Sequence, residues 1–198
     1  MKEQVIAQPL SVRDVEYGDD VLITRFQSGD ESAFRPLMDR HVERVRNLIF
    51  SVFRSVDVVD DLTQDVFLKA YRALGQFRFD AAFSTWLYRI AINHCRDEMR
   101  KRRLRRVFSL HTLLERQDAE VTRNTAVFPV DHETRELIDR GLRRLPEKYR
   151  LPVILKDVEG LSYEEIADVL RCELGTVKSR LSRGRELLRR FLSPLLED

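Results

Sequence analysis

The sequence predicts an all-α protein with two small helical domains joined by a flexible linker. The 198-residue chain contains only seven glycines and six prolines, whereas β-rich folds need many more turn residues. Apolar residues recur every three or four positions over most of the chain, which is the spacing of one helix face. This periodicity is lost at residues 107–132, where Ser, Thr, Gln, Asp and Glu predominate, so this stretch is expected to be the linker.

Composition excludes several classes of protein. No apolar run approaches the roughly 20 residues that span a bilayer, so membrane insertion is not expected. The first residues lack the apolar core of a secretion signal, which predicts a cytoplasmic protein. Two distant cysteines, Cys95 and Cys172, provide neither a disulfide framework nor a zinc site. They are interpreted as packed thiols, with a redox switch as the alternative.

The net charge of +2 hides a strong asymmetry along the chain. Residues 14–65 include twelve acidic and six basic residues. Residues 84–106 include eight basic and two acidic ones, and residues 171–190 include seven and two. One acidic and two basic faces predict two kinds of partner: a basic or mixed protein surface, and a polyanion bound at two places.

A helix expected to begin after Asp57, as its N-cap, carries a row of acidic residues. Asp57, Asp61 and Asp65 are four positions apart and line one helix face, with Asp60 and Gln64 beside them. Such carboxylates can hold Mg²⁺ against a diphosphate, but that use needs a second acidic cluster, and none is evident in the sequence. A solvated helix face and a docking face for another protein are the alternatives, and docking is preferred.

The next helix, expected over residues 83–106 (FSTWLYRIAINHCRDEMRKRRLRR), combines an aromatic stripe with a cationic end. Trp86, Arg89, Asn93, Arg96 and Arg100 step by three and four positions and therefore share one side of a helix. Such side chains suit a base taken out of its stack, and the cationic end suits backbone phosphates. From composition alone, Trp86 is equally well explained as a core residue.

The second domain is expected to begin at Glu133 and to contain a helix-turn-helix. Ser162 to Glu165 form a capping box that opens a helix of about eight residues, and a turn then leads to a basic helix near Gly175. Val177 and Leu181 lie on the core stripe of that helix. The side chains left for solvent or a DNA groove are Thr176, Lys178, Ser179, Ser182, Arg183 and Arg185. An ordinary basic surface helix is the alternative.

Four stretches in order resemble a bacterial sigma factor of the extracytoplasmic-function (ECF) group of the sigma-70 family. They are GDESAF (residues 29–34), DVVDDLTQDVFLKAYRAL (57–74), FSTWLYRIAIN (83–93) and LPEKYR…GLSYEEIADVL…GTVKSRLSRGRELL from Leu145. The resemblance implies an N-terminal tail at 1–18, a region 2 bundle at 19–106, a linker at 107–132 and a region 4 helix-turn-helix at 133–198.

The resemblance also implies partners and site residues. Core RNA polymerase would be bound at its β′ clamp helices and β flap, the former by Asp57, Asp60, Asp61, Gln64, Asp65 and Phe67. The minus-ten promoter element would be read by Phe77, Trp86, Arg89, Asn93, Arg96 and Arg100. The minus-thirty-five element would be read by Thr176, Lys178, Ser179, Arg180, Ser182, Arg183 and Arg185. An anti-sigma factor is expected as regulator, and no catalytic residue, metal or cofactor is expected.

Three residues depart from the family pattern. Phe79 stands where glycine is frequent, Gly184 stands where alanine is usual, and Pro152 is expected to kink its helix.

Two other functions remain as alternatives. One is a stand-alone helix-turn-helix regulator, which leaves the acidic helix unexplained. The other is a Mg²⁺-dependent helical enzyme that uses the aspartates.

Overall fold

The computed structural model describes residues 17–109 and 132–196. Within these two stretches the chain forms α-helices and no strand, which confirms the all-α class. The helices are α1 Asp19–Gln27, α2 Phe34–Phe53, α3 Val59–Leu74, α4 Phe83–Ser109, α5 His132–Arg144, α6 Glu147–Val153, α7 Tyr163–Leu170 and α8 Leu174–Leu196.

The first domain packs α1 to α4 around one apolar core. Each helix places an aliphatic stripe inward, as its spacing of three and four residues predicts. Leu22, Leu48, Val66 and Leu87, one from each helix, have no exposed surface. The α1 helix also fixes the connection between α3 and α4, because the amide of Gln27 donates to the carbonyl oxygens of Leu74 and Phe77 at 3.1 and 2.8 Å.

The second domain packs α5 to α8 around apolar residues that include the fully buried Leu151, Ile166 and Val177. Pro152 lies inside α6, and the chain changes directly afterwards to a wider π turn at Ile154–Val158. The kink expected at Pro152 therefore takes the form of a change from α- to π-helix, because proline has no backbone N–H to donate to the helical hydrogen bonds. Gly160, with φ of +74°, follows this turn.

Two helix boundaries differ from the sequence prediction. Asp57 is not the N-cap of α3, because it lies inside a short 3-10 turn, Val56–Val58, and α3 begins at Val59. The acidic side chains of Asp60 and Asp61 occupy its first turn instead, where the helix dipole favours them. The α4 helix continues to Ser109, and most of the expected linker, residues 110–131, lies outside the described residues.

Candidate functional site

The exposed face of the first part of α3 is acidic with one apolar residue. Its inner face is buried through Val59, Leu62 and Val66, so the helix turns its polar side to solvent. The exposed residues there are Asp60, Asp61, Gln64, Asp65 and Leu68, which we call the docking face, and the cationic Lys69 and Arg72 beyond them are exposed as well. Arg46 of α2 forms an ion pair with Asp60. Asp57 is also exposed, on the preceding turn.

Phe67 does not belong to this exposed face, and its assignment to the polymerase-binding set stays a prediction. Only 5% of Phe67 is exposed, because it packs with the core residues of α3. Its neighbour Leu68 is 46% exposed and lies one turn from Gln64 and two from Asp61. The apolar contribution to the docking face is therefore Leu68, which the spacing from Gln64 could have indicated.

A buried histidine connects the docking face to α4. The Nε2 atom of His94 lies 3.1 Å from Oδ2 of Asp65, and its Nδ1 atom lies 2.6 Å from Nζ of Lys69. Because an ammonium group can only donate, Nδ1 accepts and the proton resides on Nε2, facing the carboxylate. Sequence analysis did not single out His94, since its partners lie 25 and 29 residues away in the chain.

An aromatic cluster lies where the loop after α3 enters α4. Trp86 makes edge contacts with Phe77, at a ring separation of 5.3 Å, and tilted contacts with Phe83, at 5.6 Å. Trp86 is half-buried, so part of its ring packs against the core and part remains exposed to solvent. Phe77 is only 7% exposed. Its ring packs against Trp86, and the prediction that Phe77 itself contacts DNA stays a prediction.

Phe79 has an unusual backbone conformation in the same loop. Its φ is +60°, in the left-handed region, which a bulky residue rarely occupies. Its side chain is 44% exposed and lies edge-on to Phe77 at 4.9 Å. This position is the one where the family often has glycine, and the positive φ gives the physical reason for that preference.

The five residues of α4 predicted from its stripe lie on one side of the helix, and none is fully buried. We call Trp86, Arg89, Asn93, Arg96 and Arg100 the reading stripe. Arg100 is paired with Asp97 at 2.9 Å, one turn away. The Nε atom of Arg89 is buried and has no hydrogen-bond partner among the described residues. An unpaired buried N–H is costly.

The helix-turn-helix forms as its capping box predicts. The Ser162 hydroxyl accepts from the backbone N–H of Glu165 at 3.1 Å, and the Glu165 carboxylate accepts from the N–H of Ser162 at 2.8 Å. Arg171, at φ +51°, ends α7 and opens the turn into α8. Val177 and Leu181 are buried, at 0% and 2% exposure, so the opposite side of α8 faces outward.

The predicted DNA-facing residues of α8 are on that outer side. Lys178, Ser179, Ser182, Arg183 and Arg185 are exposed, and Thr176 and Arg180 are partly exposed. Two of the arginines are already paired within the domain. Arg183 donates to Glu186 at 2.8 Å, and Nε of Arg185 donates to Asp157 at 3.0 Å. A DNA phosphate would therefore compete with a carboxylate for each of them.

Features that would favour the other functions are not found in the described parts of the chain. No group of three or more His, Cys, Asp and Glu residues there could hold a metal ion. Among the described helices, none is long and apolar enough to cross a membrane. Burial raises the pKa of the Cys95 thiol to about 12, so this thiol stays protonated and packs as a small apolar group.

Comparisons with known proteins match both domains in order. The family model "Sigma-70 region 2" matches residues 37–105, and "Sigma-70, region 4" matches residues 135–188. The chain is 38% identical over 184 residues to the ECF RNA polymerase sigma-E factor of Escherichia coli (strain K12), covering 90% of this chain and 96% of that protein. It is 36% identical over 196 residues to the RNA polymerase sigma-H factor of Pseudomonas aeruginosa, with 91% and 96% coverage.

Two solved structures share the arrangement of helices. CnrH, in complex with the cytosolic domain of CnrY, has a TM-score of 0.66 and 28% identity, over 89% of this chain and 97% of CnrH. The sigma factor RpoE, in complex with the anti-sigma factor NepR from Bartonella quintana, has a TM-score of 0.65 and 26% identity, over 81% and 96%.

Proposed function

The chain belongs to the ECF group of the sigma-70 family, and from this premise we propose that it binds core RNA polymerase and directs transcription initiation at specific promoters. The observation that carries the proposal is the order of three surfaces on one chain. A docking face, a reading stripe and a helix-turn-helix follow one another in the two matched regions. The protein then supplies specificity to the polymerase and has no catalytic step of its own. It would act in the cytoplasm, where the polymerase transcribes the chromosome.

The proposed division of the chain follows the helices. Region 2 comprises residues 19–106 and region 4 comprises residues 133–198, with an N-terminal tail at 1–18 and a linker at 107–132. The two readers need not bind tightly by themselves, because a shared scaffold raises the effective concentration of the second contact after the first has formed.

We assign polymerase docking to α3. Its carboxylates are exposed and adjacent, and Leu68 adds an apolar contact at the C-terminal end of the same face. This combination suits a basic or mixed protein helix, such as the β′ clamp helices of the polymerase, because charge steers the encounter and apolar burial holds the complex. The β flap is the expected contact of region 4.

We assign the minus-ten element to the reading stripe and the minus-thirty-five element to α8. The half-buried indole of Trp86 offers a ring face to an unstacked base, and the arginines beside it offer donors to phosphate and base edges. The outer side of α8 presents Lys178, Ser179 and Arg180 in the position of a recognition helix in the major groove.

Control by an anti-sigma factor is part of the proposal. One structural neighbour was solved with the anti-sigma factor NepR and the other with the cytosolic domain of CnrY. A regulator of this kind would act on the present chain by covering the docking face, the readers or both.

The proposal is tested by the association of the purified chain with bacterial core polymerase. Reversing two carboxylates of the docking face, Asp61→Arg and Asp65→Arg, is expected to weaken binding by roughly tenfold or more, since like charges then meet at the interface. Glu164→Arg, on the exposed side of α7, is the matched control and should leave binding unchanged. If the chain binds specific duplex DNA alone and does not associate with core polymerase, the stand-alone regulator is the better description.

A further inference from the structure

His94 of α4 lies between two opposite charges of α3. Its Nε2 atom donates to Oδ2 of Asp65 at 3.1 Å, and its Nδ1 atom accepts from Nζ of Lys69 at 2.6 Å. The side chain of His94 is 7% exposed, whereas that of Asp65 is 55% exposed. A neutral imidazole has one donor and one acceptor, so these two partners satisfy both ring nitrogens.

Asp65 and Lys69 have the spacing of an ion pair within one helix. They lie four positions apart on α3 with the acidic residue first, which is the favoured orientation for such a pair. Among the ion pairs of the described residues, however, none joins these two side chains, because each of them contacts His94 instead. The imidazole therefore replaces a direct pair within α3 by two contacts with the neighbouring helix.

This arrangement preserves the negative charge of the docking face. Arg46 already pairs with Asp60, so a further pair between Lys69 and Asp65 would neutralise two of the three carboxylates on that face. With His94 in place, the carboxylate of Asp65 contacts a neutral ring and keeps its charge. An exposed carboxylate of this kind attracts a cation on a partner protein.

We infer that His94 is a positioning residue for polymerase docking: its imidazole holds Lys69 away from Asp65, so that this carboxylate remains available to a cation of the polymerase. The inference rests on the proposed function of the docking face. His94 does not itself contact the partner, because its side chain is nearly buried. It acts through the two α3 side chains that it separates.

A histidine that only filled the space between α3 and α4 would depend differently on its neighbours. An apolar ring of similar shape would then replace it without loss of binding, and the charge at position 69 would have no influence on the result. If the imidazole separates two charges, its loss matters only while Lys69 is present. The two explanations therefore differ in the energetic coupling between His94 and Lys69.

The inference is tested by the affinity of full-length variants for bacterial core polymerase at low salt, where exposed charges are least screened. His94→Phe keeps a ring of similar shape and removes both polar contacts, so Lys69 can pair with Asp65. Binding should weaken by about threefold, which is the size of effect that an exposed ion pair produces. His94→Gln, whose amide has both a donor and an acceptor, should bind nearly as tightly as the wild type.

The variant that distinguishes the two explanations also removes the lysine charge. In the His94→Phe background, Lys69→Gln should restore the lost affinity, because no cation then competes for Asp65. Arg72→Gln is the matched control, since it removes an exposed positive charge one turn further along α3, and it should not restore binding. The inference is overturned if His94→Phe binds as tightly as the wild type, or if Lys69→Gln restores no more affinity than Arg72→Gln.

A second measurement on the free chain does not need the polymerase, and it decides the matter if His94→Phe fails to fold. Heteronuclear NMR of the four imidazole rings, with His94 identified by its loss in His94→Gln, should show its proton on Nε2. Lys69→Gln should shift the Nδ1 resonance, and Arg72→Gln should leave it in place. A proton on Nδ1, or no shift with Lys69→Gln, would show that the ring does not hold Lys69.

Failure of the proposed function has a different signature. If the wild-type chain does not associate with core polymerase, the docking function is wrong. The position of the His94 proton and its response to Lys69→Gln do not depend on that result.

Discussion

Phe79 shows how one residue can be held in an unfavourable conformation by its neighbours. At φ +60°, a residue with a side chain costs about 1–2 kcal/mol more than glycine. Its edge contact with Phe77 stabilises the fold by roughly 0.5–1.5 kcal/mol. The two terms nearly cancel, so the loop tolerates phenylalanine at a position that favours glycine. The Phe79 ring is 44% exposed, and its partner Phe77 also contacts Trp86 of the reading stripe.

Substitutions at Phe79 separate these two terms. Phe79→Ala loses the ring contact and keeps the backbone strain, whereas Phe79→Gly loses the contact and relieves the strain. The glycine variant is therefore expected to be about 1 kcal/mol more stable to unfolding than the alanine variant. Urea unfolding followed by the fluorescence of Trp86, the one tryptophan of the sequence, reports on this cluster. An alanine variant as stable as the glycine variant would contradict the left-handed conformation.

At the residue scale, the sequence predicts well which face of a helix is polar. It predicts less well whether a residue at the border of that face is buried or exposed. Asp61 and Asp65 are exposed as predicted, but Phe67 is buried and Leu68 is exposed. Phe67 lies at the edge of the inner face, where a difference of one position decides burial. The partners of His94 and the burial of Phe77 depend on tertiary contacts, which periodicity does not contain.

Gly184 determines how closely α8 approaches α6. A Cβ atom at this position would lie 2.8 Å from Cγ2 of Val153 and 3.1 Å from the backbone oxygen of Tyr149. The sequence shows a departure that costs about 1 kcal/mol of helix propensity. The structure explains why glycine is present at this position, because α6 and α8 pack so closely that there is no room for a side chain.

Gly184→Ala is therefore expected to destabilise the second domain despite its better helix propensity. The gain of about 1 kcal/mol is outweighed by overpacking, which costs about 1–3 kcal/mol, since the backbone oxygen of Tyr149 cannot move aside without shifting α6. Gly175→Ala is the matched control on the same helix. Nothing lies within 4 Å of its added Cβ, so it should be neutral or stabilising. Calorimetric melting temperatures check both, and a higher value for Gly184→Ala would show that α6 yields easily.

At the scale of a single helix, the sequence predicts a boundary correctly where the residues at that boundary determine it by themselves. The capping box at Ser162 has the predicted position. Asp57 fails as an N-cap because a 3-10 turn precedes α3, and the sequence holds no clear signal for such a turn. The π turn after Pro152 is a related case, since the proline predicts a disruption without specifying its form.

At the scale of the whole molecule, the contact between the two domains could not be predicted. Tyr88 and Glu159 are 71 residues apart, and Thr85 and Glu165 are 80 apart. These contacts join polar residues, and helical periodicity predicts only that such residues lie outside the apolar face, not which partner they contact. The charge asymmetry of the sequence indicated an acidic partner surface in the first domain, whereas the carboxylates of these contacts belong to the second domain and are dispersed among basic residues.

The contact between the two domains has a pH dependence that can be assigned to Glu159. Desolvation raises the pKa of Glu159, although the Tyr88 hydroxyl and the charge of Arg44 act in the opposite direction. A carboxyl with a raised pKa binds its proton more tightly while the domains are in contact. Its contribution to the contact is therefore complete below about pH 4.5, the ordinary value, and is lost as the pH rises through the raised value.

Lowering the pH from about 7 to about 5 should therefore strengthen the contact between the domains of the free chain. Glu165, at the same contact, has a pKa that is lowered first by its hydrogen bonds to Ser162 in its own domain, so it stays ionised through this window. Tyr88, with a raised pKa, stays protonated throughout. Small-angle scattering should show a smaller radius of gyration at the lower pH. Glu159→Gln, neutral at every pH, should remove that change, and a variant that still contracts would assign the effect to another group.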